Sequence, residues 1–442
     1  MAVHISPPEP AGSIASAPIS TLPLSQYWPR RFTLLGLCFF SIFICYIDRV
    51  NMSVAIIPMA TEFGWDQTTK GIVLSSFFYG YLATQVLGGW LADRYGGKVV
   101  LGFGVLWWSI FTLLTPPAAF VSLSVLFWAR VGMGLGEGVA FPAIHNLLAR
   151  WVPVQERARS VALNASGIPL GTVAALFFTP VIVTNWGWPA VFYSFGTLGF
   201  VWYILWHFWA SDAPETHPTI SQAEVQAIRA HTPLPQKNET IPWGHLLSKA
   251  SVWAIIINHF CSNWGFYVIL TWLPSYFTQV LHVELHKVGL YTVLPWLVMF
   301  CMSNVAGWTA DRLLTAGFSL TFVRKLMQSI GFLGAATFLT LISGVTTIGW
   351  AILYMCCALG LGAFALSGFA VNHLDIGPRY AGILLGFSNT AGTIPGILGV
   401  TLTGMILDAT GSWQLVFLIS AGIYIFGLIV WWLFATGERV FE

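Results

Sequence analysis

The sequence predicts an all-α integral membrane protein in which twelve transmembrane helices form two pseudo-symmetric six-helix bundles. Three observations carry this prediction: a composition too apolar for a soluble globule, two sets of six apolar stretches, and one hexapeptide written twice half a chain apart.

Of the 442 residues, 56% are hydrophobic and 8% charged, and the mean hydropathy is +0.75, which leaves too little polar surface to keep a globule of this size in water. The net charge of +2 comes from 19 Lys and Arg against 17 Asp and Glu, with no basic block, so nucleic acid is set aside as a partner. Six cysteines lie in apolar runs without C-x-x-C spacing and read as small buried hydrophobes. No H-E-x-x-H, G-x-S-x-G or Walker A lysine occurs, so neither a catalytic centre nor a bound metal is expected.

Stretches of about 20 apolar residues, the length a helix needs to cross hydrocarbon, lie near 31–59, 70–91, 99–117, 120–149, 159–183 and 187–209. A second six follow near 251–280, 287–310, 322–343, 346–374, 381–407 and 413–435. This divides the chain into a disordered tail 1–29, a first bundle 30–209, a linker 210–250, a second bundle 251–435 and a tail 436–442. With the amino terminus cytoplasmic, all of the 19 Lys and Arg except Arg49, Lys70, Arg130 and Lys287 fall in cytoplasmic tails, loops and helix ends, which places both termini inside. The linker is the one long polar segment. Its Ser221-Gln222-Ala223-Glu224 reads as a capping box opening a short helix to about Ala230, within what is otherwise a solvated tether. Residues 1–29 hold no signal-peptide core and do not resemble an Arg-bearing transit peptide, from which a prokaryotic cell membrane is expected, an organellar or thylakoid membrane being the alternative.

The hexapeptide Gly89-Trp90-Leu91-Ala92-Asp93-Arg94 recurs as Gly307-Trp308-Thr309-Ala310-Asp311-Arg312, and each copy closes an apolar helix. Internal repeats in a chain this apolar mark transporters whose halves rock about a central site.

Four charges fall within spans: Asp48 and Arg49 in the first, Arg130 and Glu137 in the fourth. At roughly 2.5 to 3.5 kcal/mol each in lipid, they must face inward. Arg130 and Glu137 are two turns apart, about 10 Å along one face. Arg49 and Arg130 come out at similar depths, so two guanidiniums can converge on one anion through bidentate hydrogen bonds. A carboxylate is costly to keep charged in low dielectric, which makes Glu137 a candidate for changing protonation as the cavity opens to either side. The competing reading is that Asp48–Arg49 and Arg130–Glu137 are structural ion pairs. Glycines 132, 134, 136 and 138 strip side chains from the fourth span for close packing, and His145, His259 and His373 read as packing residues.

Gly89–Lys98, GWLADRYGGK, resembles the loop 2–3 signature of the major facilitator superfamily, and its second copy falls where that family repeats it. The resemblance implies the major facilitator fold and a cytoplasmic gate formed by Gly89, Asp93, Arg94, Gly96 and Lys98 with Asp311 and Arg312. Within it, Tyr46-Ile47-Asp48-Arg49-Val50-Asn51, and Arg130 to Glu137 followed by Pro142, resemble the anion:cation symporter family. Asn263-Trp264-Gly265, Leu270–Pro274, Val323–Gln328, Asn372–Ile376 and Ser388–Gly392 are similar to the plant plastid-type, sodium-dependent phosphate transporters. By that resemblance Arg49 and Arg130 bind the anion, Tyr46, Asn263, Ser367 and Asn389 complete the site, and Asp48 and Glu137 couple a cation or proton. Leu74 and Ser262 stand where the vesicular glutamate branch carries His and Arg, which argues against glutamate.

The expected function is secondary active transport of inorganic phosphate or a similar small anion with Na⁺ or H⁺ by alternating access, without a cofactor, by a monomer in the bilayer. The alternative is an organic-anion symporter for sugar acids, ascorbate or other carboxylates. An anion sensor that does not transport is a third reading, disfavoured because the only soluble segment is the linker.

Overall fold

The computed structural model describes residues 28–230 and 243–441. The first half contains α1 (Arg30–Phe63), α2 (Gln67–Tyr95), α3 (Gly97–Val121), α4 (Leu123–Glu137), α5 (Ala140–Trp151), α6 (Val154–Ala165), α7 (Gly167–Trp186) and α8 (Trp188–Trp209). Two short helices follow, α9 (Gln222–Ala230) and α10 (Trp243–Leu247). The second half contains α11 (Ala250–Gln279), α12 (Leu285–Thr315), α13 (Leu320–Ile342), α14 (Ile348–Gly362), α15 (Phe369–Ile376), α16 (Ala381–Thr410) and α17 (Trp413–Phe434).

Ten of the described segments are long and apolar enough to span a bilayer, and the bent α2 makes an eleventh. The twelfth is α4 with α5, where the expected continuous span is interrupted after Glu137. Gly138 and Val139 keep helical dihedrals, −63°, −20° and −85°, −11°, so the interruption is a loosened turn and the direction is unchanged. The tenth span is broken as well, between α14 and α15, at Gly368. The chain is thus a multi-pass membrane protein, and the apolar side chains left exposed on its flanks, such as Trp128, Phe178, Phe208 and Leu433, face the acyl chains.

Close helix contact explains the glycines of the fourth span. A Cβ on Gly134 would lie 2.1 Å from the Phe77 carbonyl oxygen, and one on Gly80 would lie 1.9 Å from that of Val131, so α2 and α4 touch backbone to backbone. Gly132 and Gly136 face Phe111 and Trp107 of α3. At Gly96, φ is +89° and a Cβ would strike the Asp212 carboxylate, whose Oδ1 accepts from Lys98 N at 2.8 Å and so caps α3.

The bundles meet along α2 against α16 and α7 against α12, with α1 facing α11 at the centre. On the face opposite the termini this seam is shut. Asp408, near the end of α16, accepts from Gln67 N at 2.9 Å and Thr68 N at 2.5 Å, capping α2 from the other bundle. Lys70 is buried beside it, its Nζ 3.1 Å from Gln67 Oε1 and 3.3 Å from Ser275 Oγ. Thr401–Ser75 at 2.8 Å and Thr393–Gln85 at 3.3 Å continue the seam to mid-depth.

Three expectations need revision, and a fourth, the disordered tail, lies outside what is described. The tail 1–29 lies outside the described residues except for Trp28 and Pro29, as do linker residues 231–242. Of the described linker, residues 210–230 are tied to the first bundle through Glu224 and Asp212, with Ile228 of α9 fully buried, whereas α10 lies against the second half, Trp243 meeting Phe387 and His245 meeting Phe441. Its capping box is half formed: Ser221 Oγ accepts from Glu224 N at 3.2 Å, whereas the Glu224 carboxylate accepts from Arg30 N and Arg31 N, each at 3.1 Å, and caps α1, which lacks a cap of its own. Of the six cysteines, Cys301 is exposed and Cys357 half-buried.

Two tests follow from the packing. Gly80→Val should lower thermal stability by about 1–3 kcal/mol or more, measured by a thiol-dye melt, whereas Gly36→Ala, with nothing within 4 Å, should leave it unchanged. Asp408→Ala should cost the closed far face about 1 kcal/mol, so that a reporter S53C reacts about fivefold faster with an impermeant maleimide from that side.

Candidate functional site

The centre of the first bundle is organised by a buried ion pair. Arg49 of α1 donates to Glu137 Oε2 from Nη2 at 2.9 Å and from Nε at 3.2 Å, and Cys45 Sγ, one turn earlier on α1, lies 3.1 Å from the same oxygen. The guanidinium carbon is 4.6, 4.7 and 4.7 Å from the ring centroids of Tyr46, Phe77 and Tyr81. Arg49 is 7% exposed and Glu137 is fully buried, so each compensates a charge that water does not reach. The pair joins α1 to α4. Of the two ion pairs read from the sequence, Asp48–Arg49 and Arg130–Glu137, neither forms, because side chains adjacent in sequence diverge on a helix and Arg130 is two turns from Glu137.

Arg130 has no carboxylate partner among the described residues. Its Nη1 lies 2.9 Å from Met133 Sδ, its Nε is without a partner, and its guanidinium carbon is 6.0 Å from the Phe77 ring centroid. Asp48 is fully buried with both oxygens unpartnered, near Trp108, Glu137 and Arg130. Glu137 Oε1 is unpartnered too.

Two cavities adjoin this cluster. The smaller, about 10 Å³, is lined by both Arg49 and Arg130, with Ser53 and Thr271. It has room for about one water and none for an anion. The larger, about 650 Å³, lies between the bundles and reaches Arg49, Tyr46, Asn263 and Asn389 but not Arg130. Its lining comes from the halves of the spans nearer the termini, for example His145, Ser166, Ser303 and Leu385. With the opposite seam shut, the cavity opens toward the termini face. Arg49 therefore stands at the inner end of the open cavity, and Arg130 sits behind it in the closed part.

Ser367 is not on the cavity wall; it lies in the turn that breaks the tenth span, where its carbonyl accepts from Arg324 Nη1 at 3.1 Å. Arg324 is in turn paired with Asp375 at 2.6 Å. The gate residues all lie on the termini face, and among the described residues their side-chain contacts stay within one bundle. Asp93 accepts from Asn146 at 2.7 Å, Lys98 Nζ donates to the His207 carbonyl at 3.3 Å, Arg94 lies over Trp90 and Tyr95, and Arg312 lies 3.7 Å over Trp308. Gly89 has nothing within 4 Å of where its Cβ would be, and Thr315 Oγ1 donates to the Asp311 carbonyl.

Several residues near the site, among them some that only line the cavity, escaped the sequence reading. Tyr81 and Tyr267 line the cavity, and so do His145, His259 and His373, which had been read as packing. Tyr81 is the i+4 neighbour of Phe77, but only the packing of α2 against α1 brings both rings to Arg49, which no local signal records. Asp408 did carry a signal: a carboxylate in the last turn of its own helix opposes the dipole there and points to a partner elsewhere.

The comparisons with known proteins agree with this architecture. Residues 38–400 match the Major Facilitator Superfamily. "Probable anion transporter 4, chloroplastic" of Oryza sativa subsp. japonica is 54% identical over 420 residues, covering 95% of this chain and 71% of that protein. "Ascorbate transporter, chloroplastic" of Arabidopsis thaliana is 51% identical over 420 residues, 95% and 77%. "Sodium-dependent phosphate transport protein 1, chloroplastic", also of Arabidopsis thaliana, is 50% identical over 430 residues, 97% and 84%. Among solved structures, a bacterial homologue of the human lysosomal transporter Spinster superposes with a TM-score of 0.77 at 15% identity, covering 92% of this chain and 97% of that one. A D-xylose–proton symporter superposes with a TM-score of 0.72 at 15% identity, covering 92% and 99%. Twelve spans in two bundles about a central cavity, with a family match over most of the chain, establish that this protein belongs to the major facilitator superfamily.

Proposed function

We propose that the chain is a secondary transporter, not an enzyme, that moves inorganic phosphate or a similar small anion together with Na⁺ or H⁺ by alternating access. The observation that carries this reading is Arg49 at the inner end of the open cavity, neutralised by Glu137. An anion entering from the cavity competes with the Glu137 carboxylate for the same guanidinium. Protonating Glu137 removes the competitor and frees the fork for bidentate binding. Proton and anion are therefore favoured together, which is what symport requires. Arg130 meets the anion only after the bundles rock and the small pocket behind Arg49 widens. Asp48, buried without a partner, is a further coupling group, held either as a neutral acid or against a small cation.

A second reading, an organic anion such as ascorbate or a sugar acid, has a specific support. The cavity wall presents Tyr46, Tyr81, Tyr267 and Trp296 with Asn263 and Asn389, apolar faces beside hydrogen-bonding groups, which suit a ring with hydroxyls better than a bare tetrahedral oxyanion. The names of the relatives, all three chloroplastic, favour an organellar membrane over a prokaryotic one.

In liposomes, the purified chain should take up labelled phosphate when a Na⁺ or proton gradient is imposed. Uptake of ascorbate with none of phosphate under either gradient would replace the first reading by the second. Arg130→Lys keeps the charge but not the fork, and should lose tenfold or more of transport, about 1.5–3 kcal/mol for hydrogen bonds to a charged group. Glu137→Gln should retain anion binding, measured by calorimetry, while losing gradient-driven accumulation.

A further inference from the structure

We infer that a hydrogen-bonded chain in the second bundle, His259–Ser388–His373, takes up a proton from the open cavity and holds it during transport. The inference rests on the transport function proposed above and adds a site that faces the Arg49–Glu137 pair from the other bundle.

Three helices contribute. Ser388 Oγ of α16 lies 3.2 Å from Nδ1 of His259 on α11 and 2.9 Å from Nε2 of His373 on α15, and His373 Nδ1 lies 3.1 Å from the Ala370 carbonyl oxygen. Both histidines line the cavity. With both rings neutral, the partners assign the hydrogens. A carbonyl only accepts, so Nδ1 of His373 carries a hydrogen; in the neutral ring Nε2 is then an acceptor, and the Ser388 hydroxyl must donate to it. Ser388 Oγ therefore accepts from His259 Nδ1–H. The neutral His259 is left with a bare Nε2, for which no described residue provides a donor. All the bonds run one way, from His259 to His373.

Such a chain conducts. A proton from cavity water binds His259 Nε2. The Nδ1–H bond of His259 breaks as an Oγ–H bond forms on Ser388, and the original Oγ–H bond breaks as Nε2–H forms on His373. His259 ends neutral with its hydrogen on Nε2, and His373 ends as the imidazolium. The new Oγ–H points back to the bare Nδ1 of His259, and the Leu385 carbonyl, 3.1 Å from Oγ, is the acceptor to which the hydroxyl turns as the chain resets. The hydroxyl thus has a position for each protonation state.

The ionisable groups on the elements packed about the chain are Asp375 on α15 with its partner Arg324 on α13, Tyr424 on α17, Tyr267 and Cys261 on α11, and Arg379 and Tyr380 before α16. Across the cavity are Tyr46 and Arg49 on α1, Tyr81 on α2 and His145 on α5. Among the described residues no carboxylate is ion-paired with either imidazole, Asp375 being held by Arg324. An imidazolium here faces the cavity without an ion-pair partner of its own, and the charge of an anion held at Arg49 offsets it across the cavity. Asp48 offers no such access in this conformation, since it is fully buried and does not line the cavity.

The test uses the full chain in liposomes with labelled phosphate, and labelled ascorbate in parallel, in two modes: exchange at equal pH on both sides, and accumulation driven by a pH gradient. Ser388→Ala breaks the chain at its middle, and His373→Gln keeps a neutral amide at the position of Nε2. Both variants should keep exchange within about twofold while losing gradient-driven accumulation by about tenfold or more. His259→Gln should do the same, with a flattened dependence of uptake on pH between 5 and 8, the range in which an ordinary histidine titrates. Variants that keep both modes, or that lose both alike while folded by size-exclusion profile, overturn the inference and leave the transport reading intact. Accumulation by the unaltered chain that follows Na⁺ alone at every pH also overturns it. An unaltered chain that exchanges neither anion removes the transport reading itself.

Discussion

A guanidinium that never loses its proton, set in the middle of a bilayer, must be compensated in every state the protein visits. Arg49 is that group, and most of the central architecture follows from its compensation. Glu137 supplies the counter-charge from α4, three aromatic rings supply their faces, and Cys45 adds a contact to the same carboxylate oxygen. The glycines of α4 let α2 come close enough for Phe77 and Tyr81 to reach the same cation. The compensation is internal, and therefore exchangeable: whatever anion replaces the Glu137 carboxylate inherits a site already shaped for an oxyanion.

The seam between the bundles sets which face that site sees. Along α2 and α16 the hydrogen bonds run from Asp408–Gln67 to Thr393–Gln85 and then stop, and the cavity begins where they end. The far face is closed by Asp408 on the amino terminus of α2 with the buried Lys70 beside it, and by α2 and α16 lying backbone to backbone, where a Cβ on Gly404 would strike the Gln67 carbonyl oxygen. Opening that face has to part these contacts together, as a movement of one bundle against the other.

Most of the fold could be read from the sequence, because twenty apolar residues have few places to go besides a bilayer and a repeated hexapeptide dates from a repeated bundle. The inward-facing charges were legible on the same ground. Partnership was not. Helical periodicity puts Arg130 and Glu137 on one face, but whether Glu137 meets Arg130 or Arg49 depends on how α1 and α4 are set against each other, which no local pattern records. Depth along the spans put the two arginines at one level, yet the small volume between them belongs to the conformation and not to the sequence. The histidines escaped for a related reason: His259, His373 and Ser388 come from three helices, and only the assembled bundle brings them to one hydroxyl. Glu224 was legible as a capping residue, but the helix it caps lies nearly two hundred positions upstream.

The attachment of α9 has a bearing on how the protein can be taken apart. Glu224 closes the amino end of α1, so the stretch that carries it, up to Ala230, belongs structurally to the first half although it follows that half's last span. Expressed as two polypeptides split after Ala230, the molecule would retain every stabilising contact of its leading helix. A scission a dozen residues earlier would strip that helix of its only cap, so any fragment-complementation pair or domain graft should take its boundary from this docking and not from the end of α8.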